Sequence, residues 1–261
     1  MKGACSLLLF VTARACTTSW PGGKEMAPSE SAAPIMDVLL PREHELISAG
    51  AEVTLPKEEE AAIDAGWDGD NCAPSTYGES GQHLGLDSFG LGEGSVFVDI
   101  GAGVGQAVLK AVLVHHATRG IGIEISASRH AFACKAYDKW ASLPQALCGI
   151  ECARRLQKPG TLEAIQASAL DEEALAPLKE ATHVFVYALC FPNALAKALE
   201  IALLERLPSK ALVYTDPLFF DRIATPPSRH RWGLAEVNGR RFVKTEDGNF
   251  LKIAETYRTE M

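Results

Sequence analysis

Residues 96–106, VFVDIGAGVGQ, place a buried strand, an acid, a glycine loop and a helix start in immediate succession. Glycines let the backbone turn sharply and approach a ligand closely. The first turn of a helix offers free N–H groups and a partial positive charge to an anion. The run therefore predicts a cofactor site at the end of the first strand of a sheet, with Asp99 facing a cationic group.

The glycine spacing distinguishes between cofactors. Gly101, Gly103 and Gly105 read G-x-G-x-G behind Asp99, whereas a dinucleotide site reads G-x-G-x-x-G. This spacing favours S-adenosylmethionine (SAM) over NAD, with the methionine carboxylate at the helix start and the amine at Asp99. A turn with a purely structural role is the alternative.

A second acid supports the cofactor site. The run GIGIEI at residues 120–125 predicts the next strand, and Glu124 ends it 25 residues after Asp99. An acid in that place accepts hydrogen bonds from both ribose hydroxyls. A surface glutamate is the alternative, but the strand is apolar and Ser126 or Ser128 can cap a following helix.

Beyond Gly94, short apolar runs alternate with helical patterns, which is typical of a parallel sheet with helices on both faces. The predicted strands are residues 95–100, 120–125, 161–167, 183–189 and 211–215. The predicted helices are residues 104–116, 126–140, 145–157, 171–179 and 193–207. Segments 241–245 and 249–256 predict a C-terminal antiparallel hairpin. The fold class is therefore α/β: a doubly wound, mostly parallel, seven-stranded Rossmann-like sheet of the class I methyltransferase type.

Three parts can be separated along the chain. Residues 1–34 are expected to form a flexible leader or targeting segment, since they are rich in Ser, Pro, Gly and Ala after residue 17. Residues 35–94, interrupted by prolines and glycines, predict an irregular N-terminal cap with a short helix at 57–63. Residues 95–261 form the methyltransferase domain.

The first 15 residues imitate a secretory signal, with Lys2, an apolar run at 5–11 and Ala13-Arg14-Ala15. The apolar run is short, and Arg14 lies where cleavage sites carry no charge. Targeting to the secretory route or an organelle therefore stays an alternative, and Met26 offers an alternative start.

Composition excludes several classes of protein. The net charge of −8 argues against strong intrinsic binding to nucleic acid, and no stretch approaches the length of a membrane span. Seven cysteines without a C-x-x-C pair predict neither a zinc ribbon nor a disulfide framework. No metal is expected, and the oligomeric state is left open.

Three motifs together resemble a known family. Tyr77-Gly78-Glu79, residues 97–106 and Gly122-Ile123-Glu124 are similar to the Dot-one-like (disruptor of telomeric silencing) histone-lysine methyltransferases. The resemblance covers roughly residues 76–219. It implies a non-SET chromatin regulator of the nucleus that uses SAM to methylate a lysine of a nucleosomal histone.

The resemblance also implies roles for individual residues. Tyr77 and Glu79 would belong to a loop that folds over SAM. The segment from Asp99 to Gly105 would hold the methionine end. Gln106 would lie beside that loop, and Glu124 would bind the ribose.

Two positions depart from the family's pattern. The family carries Asn-Asn-Phe-Ala-Phe after the fourth strand, whereas this chain reads YALCF from Tyr187 to Phe191, so both asparagines are absent. The family's adenine-binding acid appears as Ser168, with Asp171 nearby. Tyr187 and Phe191 are the candidate catalytic residues, as walls of a lysine channel to which Phe219 and Phe220 would also contribute. Ordinary core or surface aromatics are the alternative.

Three functions follow. The first is a Dot-one-like histone-lysine methyltransferase. The second is a class I methyltransferase whose acceptor is a different protein or a small molecule, as the absent asparagines permit. The third is a SAM-binding protein without catalysis.

Overall fold

The structure is a computed structural model that describes residues 14–19, 54–65, 73, 75, 86, 89–113, 115–142, 160–188, 190–208, 210–215, 232–234 and 241–244. The strands are β1 (Arg14–Ser19), β2 (Val96–Ile100), β3 (Arg119–Glu124), β4 (Thr161–Gln166), β5 (His183–Val186), β6 (Leu212–Thr215), β7 (Trp232–Leu234) and β8 (Arg241–Lys244). The α-helices are α1 (Lys57–Ile63), α2 (Gln106–Leu113), α3 (Ala127–Ser142) and α4 (Asn193–Arg206).

Within these residues the eight strands form one sheet in the order β1-β4-β3-β2-β5-β6-β8-β7. The five central strands, β4 to β6 in that order, pair in parallel. β1, β8 and β7 pair antiparallel with their neighbours. The chain moves outward from β2 to β4, and then returns to place β5 on the other side of β2. In open α/β sheets, ligands bind at such a reversal, beyond the carboxyl ends of the strands.

The sheet has a core on each face, because successive side chains of a strand point to opposite sides. On one face, Val98 and Ile100 of β2 pack with α4 and with the residues from Ala174 to Leu178. On the other face, Phe97 packs with α2 and α3. The predicted doubly wound, mostly parallel sheet is therefore confirmed, but in the described residues it has eight strands and not the predicted seven. The five predicted parallel strands are present, with ends that differ from the prediction by at most three residues.

The N-terminal segment departs from its prediction. Arg14–Ser19 forms β1 and pairs along its whole length with β4 at the edge of the sheet. The expectation that residues 1–34 form a flexible leader is therefore wrong for these six residues. The sequence did not predict β1, because RACTTS is short, polar and preceded by an apolar run that resembles a targeting signal.

The cysteines also require a correction. Cys16 of β1 and Cys134 of α3 form a disulfide with a Cα–Cα distance of 5.9 Å, and Cys190 is disulfide-bonded as well. The expectation of no disulfide is wrong. Spacing along the sequence carried no signal, because the two joined cysteines are 118 residues apart and meet only when β1 joins the sheet.

One further element differs from its prediction, and a second lies partly outside the described residues. The expected α-helix at 171–179 is a series of turns that ends in a 3-10 helix, Ala176–Lys179. Pro177 accounts for this, since it lacks an N–H and clashes with the preceding helical turn. The antiparallel neighbours of β8 are β6 and β7, and segment 249–256, the predicted partner of 241–245, lies outside the described residues. Asn238-Gly239, a favoured hairpin-turn sequence, lies between β7 and β8.

The predicted cap helix at 57–63 is confirmed as α1. The predicted helix at 145–157 lies outside the described residues. Among the helices of the described part, none is both long and apolar enough to cross a membrane.

Candidate functional site

The glycine loop leaves β2 at the reversal point of the sheet. Gly101, Gly103 and Gly105 have φ angles of 82°, 55° and 80°, a backbone region that L side chains rarely adopt. At Gly105 the space is also closed, since an added Cβ would lie 2.3 Å from the hydroxyl oxygen of Tyr137 in α3. The loop is fixed underneath, because the N–H groups of Gly101 and Ala102 both donate to the Ile123 carbonyl of β3. The sequence thus builds a rigid turn directly beside the start of α2.

Asp99 lies at the end of β2, with only 4% of its surface exposed. Among the described residues, none donates a hydrogen bond to its carboxylate. Burial, reinforced by the charge of Glu124, raises the pKa of Asp99 from 3.8 to about 8. A buried acid without a partner is costly to ionise unless a cation approaches it. This carboxyl group is therefore suited to an ammonium ligand.

Glu124 lies at the corresponding end of β3 and faces the glycine loop. Its carboxylate accepts hydrogen bonds from the N–H of Gly103 at 2.7 Å and from the N–H of Ser126 at 2.8 Å. Burial raises the pKa of Glu124, while the Ser126 N–H, the charge of Arg129 and the Gly103 N–H oppose that rise. The predicted pair of acids is thus brought to one edge of the sheet, on neighbouring strands and close enough to repel each other electrostatically.

This arrangement fits the adenosyl-methionine group that the sequence predicts. The loop is built from positive-φ glycines, and the buried Asp99 carboxyl has no donor among the described residues. A carboxylate offers about four acceptor positions, so Glu124 retains capacity for hydroxyl donors beyond its two N–H bonds. Gln106 is buried at the first position of α2, next to the loop.

Sequence reasoning missed a third acid, Glu59 of α1. One carboxylate oxygen accepts the Ser126 hydroxyl at 2.6 Å and the Ser128 N–H at 3.1 Å, and the other accepts the Ser128 hydroxyl at 2.7 Å. Although burial acts to raise the pKa of Glu59, these hydrogen bonds together lower it. Glu59 of α1 therefore caps the start of α3 at Ser126, which lies two residues after Glu124 in the sequence. Nothing in the run KEEEAAI separates Glu59 from Glu58 and Glu60.

Arg129 was missed as well. It is buried in the first turn of α3, its guanidinium donates to the Ser75 carbonyl, and its charge acts on Glu124. Ser75 in turn donates its N–H and its hydroxyl to the Asp64 carboxylate, each at 2.7 Å. A sequence signal exists here: a cation is disfavoured at a helix start, so an arginine there indicates a nearby acid. Together Glu59, Asp64, Ser75 and Arg129 connect the cap to the neighbourhood of Glu124.

The remaining predicted site residues differ in where the structure places them. Ser168 follows β4, and its N–H donates to Asp171 at 3.0 Å, so these two residues lie together as expected. Tyr187 follows β5 and is 38% exposed. The Phe191 ring lies against the glycine loop, since a Cβ on Gly101 would be 3.1 Å from its Cζ. The predicted contributors Tyr77, Glu79, Phe219 and Phe220 lie outside the described residues.

A match to a protein-family model identifies the family of this chain. Residues 70–222, more than half of the chain, match the family model described as histone methylation protein DOT1. The chain belongs to this family. DOT1 proteins are associated with chromatin and act on histones, and this member is a SAM-dependent methyltransferase. The resemblance stated from three sequence motifs is confirmed.

Two solved structures to which the chain is similar are described as methyltransferases. An RNA methyltransferase from Salinibacter ruber with bound S-adenosyl-L-homocysteine is 23% identical, with 67% of this chain and 92% of that chain covered and a TM-score of 0.42. Precorrin-6y C5,15-methyltransferase from Geobacter metallireducens is 16% identical, with coverages of 62% and 73% and a TM-score of 0.40. No curated protein matches this DOT1-family chain. The family assignment rests on residues 70–222.

Proposed function

We propose that this DOT1-family protein transfers a methyl group from SAM to a lysine side chain of a histone in the nucleosome, and that it does so in the nucleus. The observation that carries the proposal is the pair of buried acids, Asp99 and Glu124, on either side of a glycine loop that matches the family. When bound, SAM supplies an electrophilic methyl group on a cationic sulfonium.

The chain's own residues would hold the cofactor by charge and hydrogen bonding. Asp99, ionised by the approach of a cation, would bind the ammonium group. Glu124 would accept from the ribose hydroxyls while the Gly103 and Ser126 N–H groups keep its carboxylate oriented. The start of α2 would receive the methionine carboxylate, next to Gln106. Ser168 would lie near the adenine, and Tyr77 and Glu79 would cover the cofactor.

Methyl transfer requires alignment and a nucleophile with a free lone pair. Deprotonating a lysine of ordinary pKa at neutral pH costs about 4.6 kcal/mol, and desolvation beside a cationic centre lowers that cost. Tyr187 and Phe191 would form the apolar walls that exclude water from the acceptor. Phe191 is well placed for this, because its ring already contacts the glycine loop.

The pairing of β1 supports a chain from which residues 1–15 are not removed, in agreement with the nuclear assignment. Arg14 and Ala15 pair with Gln166 and Ile165 of β4, and cleavage after Ala15 would remove both from β1. A targeting role of residues 1–15 is the competing assignment. Localisation of the full chain with a C-terminal fluorescent tag distinguishes the two, since nuclear fluorescence supports the proposal and secretory or organellar fluorescence contradicts it.

The absent asparagines favour one second candidate. Tyr187 and Ala188 occupy the positions of the family's Asn-Asn pair, so the acceptor could be a protein outside chromatin or a small molecule. SAM binding without turnover is the remaining alternative. The test incubates purified full-length protein and its Asp99→Ala variant with methyl-labelled SAM and nucleosomes, free histones or a cell extract.

Label on a histone lysine that disappears in Asp99→Ala supports the proposal. Label only on other molecules of the extract selects the second candidate. Tight binding without label on any acceptor selects the third.

A further inference from the structure

A second cluster of chemically reactive side chains lies at the β1 edge of the sheet. It consists of Cys16 on β1 and of His130 and Cys134 on α3. One atom from each residue, a sulfur or a ring nitrogen, lies within 4.8 Å of the others. His130 is buried and both cysteines are partly exposed. From this cluster we infer that the reduced protein binds a zinc ion through Cys16, His130 and Cys134, and that the Cys16–Cys134 disulfide is the alternative, metal-free state of the same site.

The distances fit tetrahedral zinc. The ring nitrogens of His130 lie 3.5 Å (Nε2) and 4.0 Å (Nδ1) from the Cys134 sulfur. With Zn–S near 2.3 Å and Zn–N near 2.0–2.1 Å, a thiolate and an imidazole on one tetrahedral ion are separated by about 3.6 Å. The two sulfurs, bonded in the oxidised state, would separate to about 3.8 Å on the ion. The Cα–Cα distance of 5.9 Å leaves room for this through side-chain rotation alone.

The histidine is oriented as zinc ligands usually are. Its Nε2 lies 3.2 Å from the backbone oxygen of Ala164 in β4, and a ligating histidine commonly donates its other ring N–H to such a carbonyl. Nδ1 is therefore the nitrogen that would bind zinc, and a shift of about 0.4 Å brings it from 4.0 Å to the expected separation from the Cys134 sulfur. Ala164 is also the register partner of Cys16 across the β1–β4 pair. His130 and Cys134 are four residues apart on α3, so they share one helix face. The strand register and the helix period thus place the three side chains next to one another.

The two states exclude each other, because the disulfide consumes both thiolates. A disulfide oxidant such as oxidised glutathione converts the zinc dithiolate to the protein disulfide, releasing the zinc ion and two glutathione thiolates. A dithiol reductant reverses the change by supplying two electrons and restoring both sulfurs. Both states tie β1 to α3, the helix that begins beside Glu124. The fourth position on zinc would belong to water, since the cluster has three ligands in the part of the chain that the structure describes.

The test titrates zinc into full-length protein, either reduced under anaerobic conditions or oxidised, with a colorimetric chelator as competitor. Reduced wild-type protein is expected to bind one zinc ion more than oxidised protein does. Cobalt in place of zinc is expected to give the near-ultraviolet thiolate-to-cobalt absorption. His130→Gln, Cys16→Ser and Cys134→Ser are each expected to weaken this site at least about tenfold.

Cys152→Ser and His116→Asn serve as matched controls and should bind as the wild type does. Because His130 is buried, circular dichroism and SAM binding check that its variant is folded. Equal zinc binding by reduced and oxidised protein would overturn the inference, and so would a folded His130→Gln variant with wild-type zinc affinity. Cys16→Ser, on the edge strand, provides an independent variant if His130→Gln does not fold.

Discussion

The ends of β2 and β3 and the segment after β5 lie at the same edge of the sheet, yet they differ in how closely they follow the family. The first region retains the acid, the three glycines, the following glutamine and the second acid. Both of its acids are buried, and two backbone N–H groups hold the Glu124 carboxylate. The second region has Tyr187 and Ala188 where the family has two asparagines, and Tyr187 is exposed. The cofactor side is therefore set by this chain's own packing, whereas the acceptor side is where its specificity can depart from its relatives.

The largest expected effect comes from adding a side chain within the glycine loop. Gly105→Ala places a methyl group 2.3 Å from the Tyr137 hydroxyl at a φ of 80°. Strain and overpacking should together cost about 2–4 kcal/mol of unfolding free energy and abolish measurable SAM binding. Chemical denaturation and calorimetry measure both. Gly92→Ala is the control, since nothing lies within 4 Å of its added Cβ; a Gly105→Ala protein as stable as this control would show that the loop tolerates side chains.

Asp99→Asn should separate binding from stability. Loss of a charge-assisted contact should weaken SAM binding by about tenfold to a hundredfold or more. The ligand-free protein, however, should gain about 1 kcal/mol and melt about 2–4 °C higher at pH 8, because a buried unpaired charge is removed. Asp138→Asn, an exposed change on α3, is the control. Lower stability together with unchanged affinity would assign Asp99 a purely structural role.

The pH dependence of the wild type follows from the same group. Since folding raises the pKa of Asp99 from 3.8 to about 8, the folded state holds its proton more tightly than the unfolded state does. This contribution to stability is present in full below pH 4 and is lost as pH rises from about 4 to about 8. Asp99→Asn should lack it, as thermal unfolding across this range measures. SAM binding at pH 6.5 should release a proton in the wild type only, which calorimetry in buffers of different ionisation enthalpy detects.

A smaller effect is expected from the cap. Glu59→Gln and Arg129→Lys should weaken SAM binding by about threefold to tenfold. Glu59 accepts a hydrogen bond from Ser126, the residue whose N–H holds Glu124, and Arg129 joins α3 to Ser75 and acts on Glu124 by its charge. Glu58→Gln, one residue away on the exposed side of α1, should bind as the wild type does. If all three variants bind SAM equally, the cap does not contribute to the cofactor site.

The smallest effect on SAM binding is expected on the acceptor side. Tyr187→Ala should leave SAM affinity within about twofold of the wild type, since the side chain is exposed. It should raise the KM for the acceptor or lower kcat, as steady-state kinetics with nucleosomes shows. An unchanged KM and kcat would place the lysine channel elsewhere.

The sequence was sufficient for the parts of the molecule whose signal is local. The buried strands, the glycine loop and the two acids at strand ends each follow from a few consecutive residues, so their positions could be predicted. The contacts of Glu59, Asp64 and Arg129 depend on how the cap docks on α3, which no local pattern encodes. For the same reason, the sequence did not predict β1 or its disulfide. Cys16 and Cys134 are 118 residues apart and come together only in the folded sheet. Pro177, by contrast, was a readable signal against the predicted helix.

The most direct measurement is a crystal structure of the full chain with SAM or S-adenosylhomocysteine. We expect the ligand's ammonium nitrogen within about 3.2 Å of the Asp99 carboxylate and both ribose hydroxyls within hydrogen-bond distance of Glu124. A ligand bound elsewhere, or a ribose held by other side chains while Glu124 contacts only Gly103 and Ser126, would contradict the account.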